Sequence, residues 1–335
     1  MNKSNIIICM ILITIFCATQ SWAEEESGGY AGAFLNYDLS ARAMGMGGAF
    51  TGVAEGSAGI RYNPAGICAA KHLHAAFTYS KLTLDRRLNY MEVLFPLPQQ
   101  AVIGISWINA GVSDVKMRDT NGNVVGDLEN NQNSFNLTFG RRVNNYAAIG
   151  VNIRYVQFNY AELMTNAIGI DFGAMGYLFN DDLTAGFKVA NFSSKYSWDT
   201  GDFYQTSATS YEEDFPLVYR FGAAYRFLEK AIALSGDYEY VDDADSKTHF
   251  GAEYWMYKDA EETYVDEYTD EVKTRPVKLK FLSGRIGLNH DRMTFGFGIR
   301  YKIGKMFAKL DYAFATGAVD GLSPDHLITL GLGYF

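Results

Sequence analysis

The chain has 335 residues, a formal net charge of −9, and 15 % aromatic residues, with 23 Tyr, 23 Phe and 33 Gly against only 6 Pro. The acidic balance argues against nucleic acid as a partner. Beyond the N-terminus no apolar run is long enough to cross a bilayer as a helix, so a membrane protein of this composition would have to cross with strands.

Residues 1–23 read as a secretory signal peptide. Lys3 supplies the positive start, Ile6 to Ala18 the apolar stretch, and Ser21, Trp22 and Ala23 the small-residue cleavage site. A lipoprotein signal on Cys17 is disfavoured because Phe16 stands where that motif needs a small residue. Cleavage removes Cys9 and Cys17 and leaves Cys68 alone, so no internal disulfide is expected in the exported chain.

Residues 24–71 form a second region. Its core, ARAMGMGGAFTGVAEGSAGIRYNPAGI over 41–67, consists mostly of small residues. Gly45, Gly47 and Gly48 superficially suggest a dinucleotide loop, but Phe50 replaces the last glycine of that fingerprint and no strand precedes it.

From 72 to 335 the chain alternates in period two, in segments separated by turn residues. Strands are expected near 72–80, 88–95, 101–109, 133–142, 146–158, 166–179, 183–192, 215–227, 231–241, 247–257, 278–289, 293–301, 305–316 and 325–335. The clearest places Phe295, Phe297, Ile299, Tyr301 and Ile303 on one face, opposite Thr294, Gly296, Gly298, Arg300 and Lys302. One apolar face with aromatics near the strand ends, and one face of glycine, asparagine and isolated charges, fits lipid outside and a partly polar lumen. A large soluble β-sandwich array is the alternative. The fold class is therefore read as all-β, a 14-stranded antiparallel transmembrane β-barrel with an N-terminal hatch or plug segment.

Tight turns at 96–99, 144–145, 180–182, 228–230 and 302–305 contrast with long connections at 110–131, 193–214 and 258–277. Short turns at one end and long loops at the other are usual for such barrels. The acidic stretch 258–277 breaks the parity, falling at the short-turn end. Either the strand count slips by one there or the stretch is an insertion at that end.

Other motifs carry little. Asp119 to Asn123 resembles the opening of a calcium loop, but Val124 and Asn130 stand where that loop needs Gly and Glu, so a hairpin turn on Asn121 and Gly122 is expected. His72 and His74 would share a strand face, read as a surface or headgroup-level pair rather than a metal site. No Gly-x-Ser-x-Gly elbow precedes Ser57. The chain is read as a non-enzyme without cofactor or metal. A terminal Phe335 on an amphipathic last strand looks like the signal read by the barrel assembly machinery.

The 41–67 stretch resembles the N-terminal signature of the PorV/PorQ family, a branch of the FadL-like (long-chain fatty acid transporter-like) outer-membrane barrels. Gly251-Ala-Glu-Tyr-Trp255, Gly284-Arg-Ile-Gly287, Gly296-Phe-Gly298 and Asp311-Tyr-Ala-Phe314 follow in the order that family shows. The resemblance implies a fourteen-stranded barrel in outer-membrane lipid with 24–71 folded inward as a hatch. It implies that Asn63, Pro64, Ala65 and Gly66, with Gly45, Gly47 and Gly48, are the hatch and ligand-binding residues, Asn63-Pro64-Ala65 matching the family's hatch motif. Small residues suit such a plug because its backbone must approach the wall. Two functions follow from the resemblance: passage of a hydrophobic or amphipathic small molecule past the hatch, or a type IX secretion role in which the barrel binds secreted protein cargo. Outer-loop aromatics (Tyr196, Trp198, Phe203, Tyr204, Tyr211) suit either.

Overall fold

A computed structural model describes residues 29–334, except 57, 113–114, 129, 162, 200, 202–208, 243, 266–271 and 318–322; of residues 262–265 and 272–273 only the backbone is described. The signal peptide expected over 1–23, Phe203, Tyr204 and Phe335 lie outside the described residues.

The strands run, in chain order, β1 (Leu73–Lys81), β2 (Arg86–Leu97), β3 (Ala101–Val112), β4 (Lys116–Arg118), β5 (Val124–Asp127), β6 (Asn130–Asn144), β7 (Ala147–Tyr160), β8 (Leu163–Leu178) and β9 (Leu183–Phe192). They continue with β10 (Lys195–Asp199), β11 (Ser210–Asp214), β12 (Val218–Phe227), β13 (Ile232–Val241), β14 (Lys247–Val265), β15 (Val272–Asn289), β16 (Arg292–Ile303), β17 (Met306–Ala315) and β18 (Asp325–Tyr334). Fourteen of them close into an antiparallel barrel in which each strand pairs with its neighbour along the chain and β18 returns to β1. β4–β5 and β10–β11 are separate two-stranded hairpins inside two of the long connections. Closure leaves no barrel edge to pair with another chain.

The alternation read from sequence is the alternation of the wall. On β18, Ile328, Leu330, Leu332 and Tyr334 face outward and are exposed, while Leu327 and Thr329 are buried inside. Outward aromatics gather near both rims: Tyr79, Tyr160, Phe192 and Tyr240 toward the long-loop end, and Phe95, Tyr146, Tyr301 and Tyr334 toward the short-turn end. An apolar belt rimmed by aromatic rings matches lipid, because these rings sit well at the headgroup boundary.

Three sequence expectations change. The described residues of the stretch 258–277 are strand, not loop. β14 and β15 continue through it, paired from Lys258–Leu279 to Val265–Val272 after a register shift at Met256/Tyr257. The fourteen-strand count holds, and this hairpin projects from the end that carries the turns 98–100, 145–146, 228–231 and 304–305. Parity is thus broken by an insertion and not by a miscount.

Phe215 does not open a strand; β12 begins at Val218, and Phe215 turns inward to a buried position against Gly32. His72 precedes β1, and His74 is buried in the lumen with Nδ1 3.6 Å from Glu92, so the two do not form a surface pair. A β-strand's inward positions leave room for one imidazole beside a carboxylate, and the period of two sends Leu73 outward instead.

Candidate functional site

Residues 29–71 fill the lumen. Two short helical pieces, Ala41–Gly45 and Gly59–Tyr62, and a 3₁₀ turn, Pro64–Ala69, carry almost entirely buried residues. Ser40 caps the first piece, its hydroxyl accepting from Arg42 N at 3.2 Å. Asn63 caps the 3₁₀ turn, accepting from Ala65 N at 3.0 Å, with Pro64 at the first turn position. The caps satisfy backbone donors that would otherwise be buried without partners.

The predicted small residues do not form one cluster. Gly45, Gly47 and Gly48 lie against β14–β17, and Asn63, Pro64, Ala65 and Gly66 against β6–β8 on the opposite wall. Together they are the two ends of a strut across the barrel. Gly47 has φ +64°, and a Cβ there would stand 2.5 Å from the carbonyl oxygens of both Leu288 and Phe250. Both the backbone conformation and the close approach therefore require glycine. Its N–H donates to Thr294 Oγ1 at 3.0 Å.

At the other end Asn63 Nδ2 donates to Ala174 O on β8 at 2.9 Å. The wall has its own cradle for Pro64. A Cβ on Gly150 would come within 2.4 Å of Pro64 C and Ala65 N, and one on Gly173 within 2.2 Å of Asn63 Oδ1. These wall glycines are functional neighbours of the strut that sequence reading missed.

Charge fixes the middle of the segment. Arg42 donates from Nε and Nη2 to the two oxygens of Glu253 on β14, at 2.8 and 2.6 Å. Arg285 on β15 donates to the same Glu253 at 2.7 Å and to Asp311 on β17 at 2.8 Å. Asp237 on β13 accepts from the backbone N–H groups of Phe50 and Thr51 at 3.0 and 2.8 Å. Arg220 donates to Gly48 O at 2.9 Å, and Glu92 accepts from Ala58 N at 3.0 Å. All these wall groups are buried. Isolated charges on the luminal faces were the available signal for them, since a buried charge is stable only when paired.

Two carboxylates of the inner segment answer differently to burial. Burial pushes the Asp38 carboxyl up, against the hydrogen bond from Tyr62 and the nearby Arg61. At Glu55 burial acts the same way but is outweighed by Arg226 and Arg42, which bring the carboxyl down to about 2.

A cavity lies on each side of the strut. At the long-loop end about 430 Å³ opens among Tyr37, Asp38, Arg86, Glu239, His249 and Asp325. At the short-turn end about 660 Å³ opens beneath Val53, Glu55 and Cys68. At the same end, beside β8, Tyr196 and Trp198 of β10 pack with Phe158 and Phe215 into an aromatic cluster, ring centroids 4.6–5.9 Å apart. Tyr196 is buried there, whereas Tyr211 of β11 is exposed. Both cavities are lined by charged and polar groups as well as apolar ones.

Solved structures share this architecture. The chain resembles the Pseudomonas putida toluene transporter TodX (12 % identity, 88 % of this chain and 97 % of that one, TM-score 0.54). It likewise resembles a Pseudomonas aeruginosa FadL homologue (10 %, 88 % and 98 %, 0.56). A third neighbour is the CymD monoaromatic hydrocarbon channel (12 %, 88 % and 97 %, 0.53). The fold is that of the FadL-type barrels. At these identities the likeness is one of fold. No protein-family model matches the sequence, and no curated protein matches it.

Proposed function

We propose that this chain is an exported outer-membrane barrel, its long loops outward and its short turns toward the periplasm, that passes an amphipathic or hydrophobic small molecule through the lumen past a movable hatch formed by residues 24–71. The observation that carries the reading is the strut itself: it fills the barrel between two cavities, so any solute must wait for it to shift. The signal-peptide pattern and the aromatic-rimmed apolar belt support the location. The FadL-type neighbours, among them a toluene transporter and a monoaromatic hydrocarbon channel, support the solute class. The polar lining on both sides favours a solute with a polar end over a pure hydrocarbon. Asn63, Pro64, Ala65 and Gly66 hold one end of the hatch and Gly45, Gly47 and Gly48 the other.

A reversible lock tests this. Ala41 N donates to Thr329 Oγ1 at 2.9 Å, so the two positions are close enough for cross-linking. In a Cys68→Ser background, Ala41→Cys with Thr329→Cys is expected to block uptake of benzyl alcohol and toluene when oxidised and restore it on reduction. Unchanged uptake through the oxidised, cross-linked barrel would overturn the hatch-gated reading. Loss of a secreted protein from the cell surface in a strain lacking this barrel, with uptake intact, would point instead to the cargo-carrier role.

A further inference from the structure

The cavity at the short-turn end is unusually cationic for a buried site. Lys71, Arg142, Arg226, Lys230 and Lys280 line it with two carboxylates, Glu55 and Asp181, and next to it in the lumen Arg42, Arg285 and Lys309 pair with Glu55, Glu253 and Asp311. Glu253 is shared by Arg42 and Arg285, and Asp311 by Arg285 and Lys309. Glu55 must then serve both Arg42, at 3.0 Å, and Arg226, at 3.7 Å. The one other acid lining this cavity, Asp181, is held by Arg142 in a two-pronged pair at 3.0 and 2.8 Å.

Lys280 has no carboxylate within ion-pair distance among the described residues: Glu55 and Glu253 act on it only at longer range, and its ammonium lies 5.6 Å from the Trp255 ring and 6.0 Å from the Tyr257 ring. Lys230 at the rim donates to Asn180 O at 2.8 Å and is paired with Asp182 at 3.5 Å. Cations outnumbering anions in a partly enclosed cavity raise its potential and attract a counter-anion.

From this geometry we propose that the short-turn cavity binds an anionic oxygen group, a carboxylate or a phosphate, at Arg226 and Lys280, and that the hatch residue Glu55 is its internal competitor. Glu55 reaches into the cavity with 35 % of its side chain exposed. Its distance to Arg226 is loose, beyond a direct hydrogen bond. An incoming anion would take Arg226 and Lys280 together, with charge-assisted bonds that a single Glu55 oxygen does not provide. The site is an equilibrium binding site and stands whether or not the barrel conducts.

Calorimetric titration of the purified full-length barrel in neutral detergent tests it, with inorganic phosphate in one arm and sodium octanoate in the other. Binding of either that weakens with salt is expected. Lys280→Gln should weaken it by roughly tenfold and Lys280→Arg restore it, as for loss and return of one charge-assisted bond. Glu55→Gln, which removes the competing carboxylate at nearly unchanged side-chain size, should tighten binding by about fivefold. Stronger binding of phosphate assigns the site to a free inorganic anion, and stronger binding of octanoate to the head of an amphiphile. Each variant is first checked for unchanged heat-dependent gel mobility. Lys305→Gln, at an exposed turn of the same end, should leave affinity unchanged. No binding of either probe, or Glu55→Gln weakening it in a folded barrel, would overturn the proposal.

Discussion

Arg42 and Glu253, 211 positions apart in the chain, form a two-pronged buried ion pair that joins the inner segment to the barrel wall at 2.8 and 2.6 Å. Its Glu253 also holds Arg285, so removing that carboxylate leaves Arg42 with Glu55 alone and Arg285 with Asp311 alone, and takes away the one anion the inner segment shares with β14 and β15. Breaking one side of a buried pair costs about 3–5 kcal/mol. Glu253→Gln is therefore expected to release the inner segment while the barrel persists. Limited trypsin digestion reads this directly, because Arg42 and Arg61 are buried in the native state and become cleavable once the strut detaches. Heat-dependent gel mobility should be unchanged.

The cradle for Pro64 predicts a steric effect without any change of charge. Gly150→Val would place side-chain atoms where Pro64 and Ala65 backbone now stand, 2.4 Å from the new Cβ. Overpacking of this kind costs about 1–3 kcal/mol. The same trypsin assay should show partial release, with the Arg61 site cleaved faster than the Arg42 site, which is anchored at the other wall.

Acid should loosen the strut through Glu55. An undocked glutamate titrates near ~4.3, while docked Glu55 is held at about 2: burial raises it and Arg226 and Arg42 lower it further. Because the docked form binds fewer protons, its contribution is fully present above about pH 4.3 and is lost as pH falls toward 2. Pepsin cleavage at the inner-segment aromatics Phe50 and Tyr62 should accelerate over that window. Glu55→Gln should flatten the pH dependence; an equally steep profile in that variant would refute the assignment.

The projecting hairpin should be dispensable to the barrel. Beyond Trp255, whose N–H donates to Ala231 O at 2.8 Å, β14 pairs only with β15. The hairpin's base contacts include the exposed Lys278–Glu229 pair at 2.9 Å, the Tyr257 hydroxyl donating to Glu229 O at 3.1 Å, and Lys258 over the Tyr301 ring. Exposed pairs of this kind contribute at most about 1 kcal/mol. Replacing residues 258–279 by Asn-Gly, between the paired Tyr257 and Lys280, should leave heat-dependent mobility intact and change the melting temperature by only a few degrees.

The strands were legible because their signal is local. On β16 and β18 the side-chain period of two alone separates lipid-facing Phe297, Ile299 and Leu330 from luminal Thr294 and Thr329. Long connections hid β4–β5, whose residues are almost all exposed, and β10–β11, which packs on β8; neither carries the apolar alternation of a wall strand. The acidic 258–277 stretch misled for a related reason: exposed strands with charges on both faces lack the apolar face that marks a wall strand.

For the inner segment, sequence alone determined that a run of small residues with an Asn-Pro-Ala turn precedes the barrel and that close backbone packing is its purpose. Only the tertiary structure decided that Gly47 and Pro64 brace opposite walls, that Glu253 and Asp237 receive Arg42 and the Phe50 backbone, and that the extra hairpin leaves from the short-turn end. Alternation is written within a few successive residues. Pairings across a lumen join positions two hundred residues apart, and they are fixed by barrel closure and by the need of each buried charge for a partner.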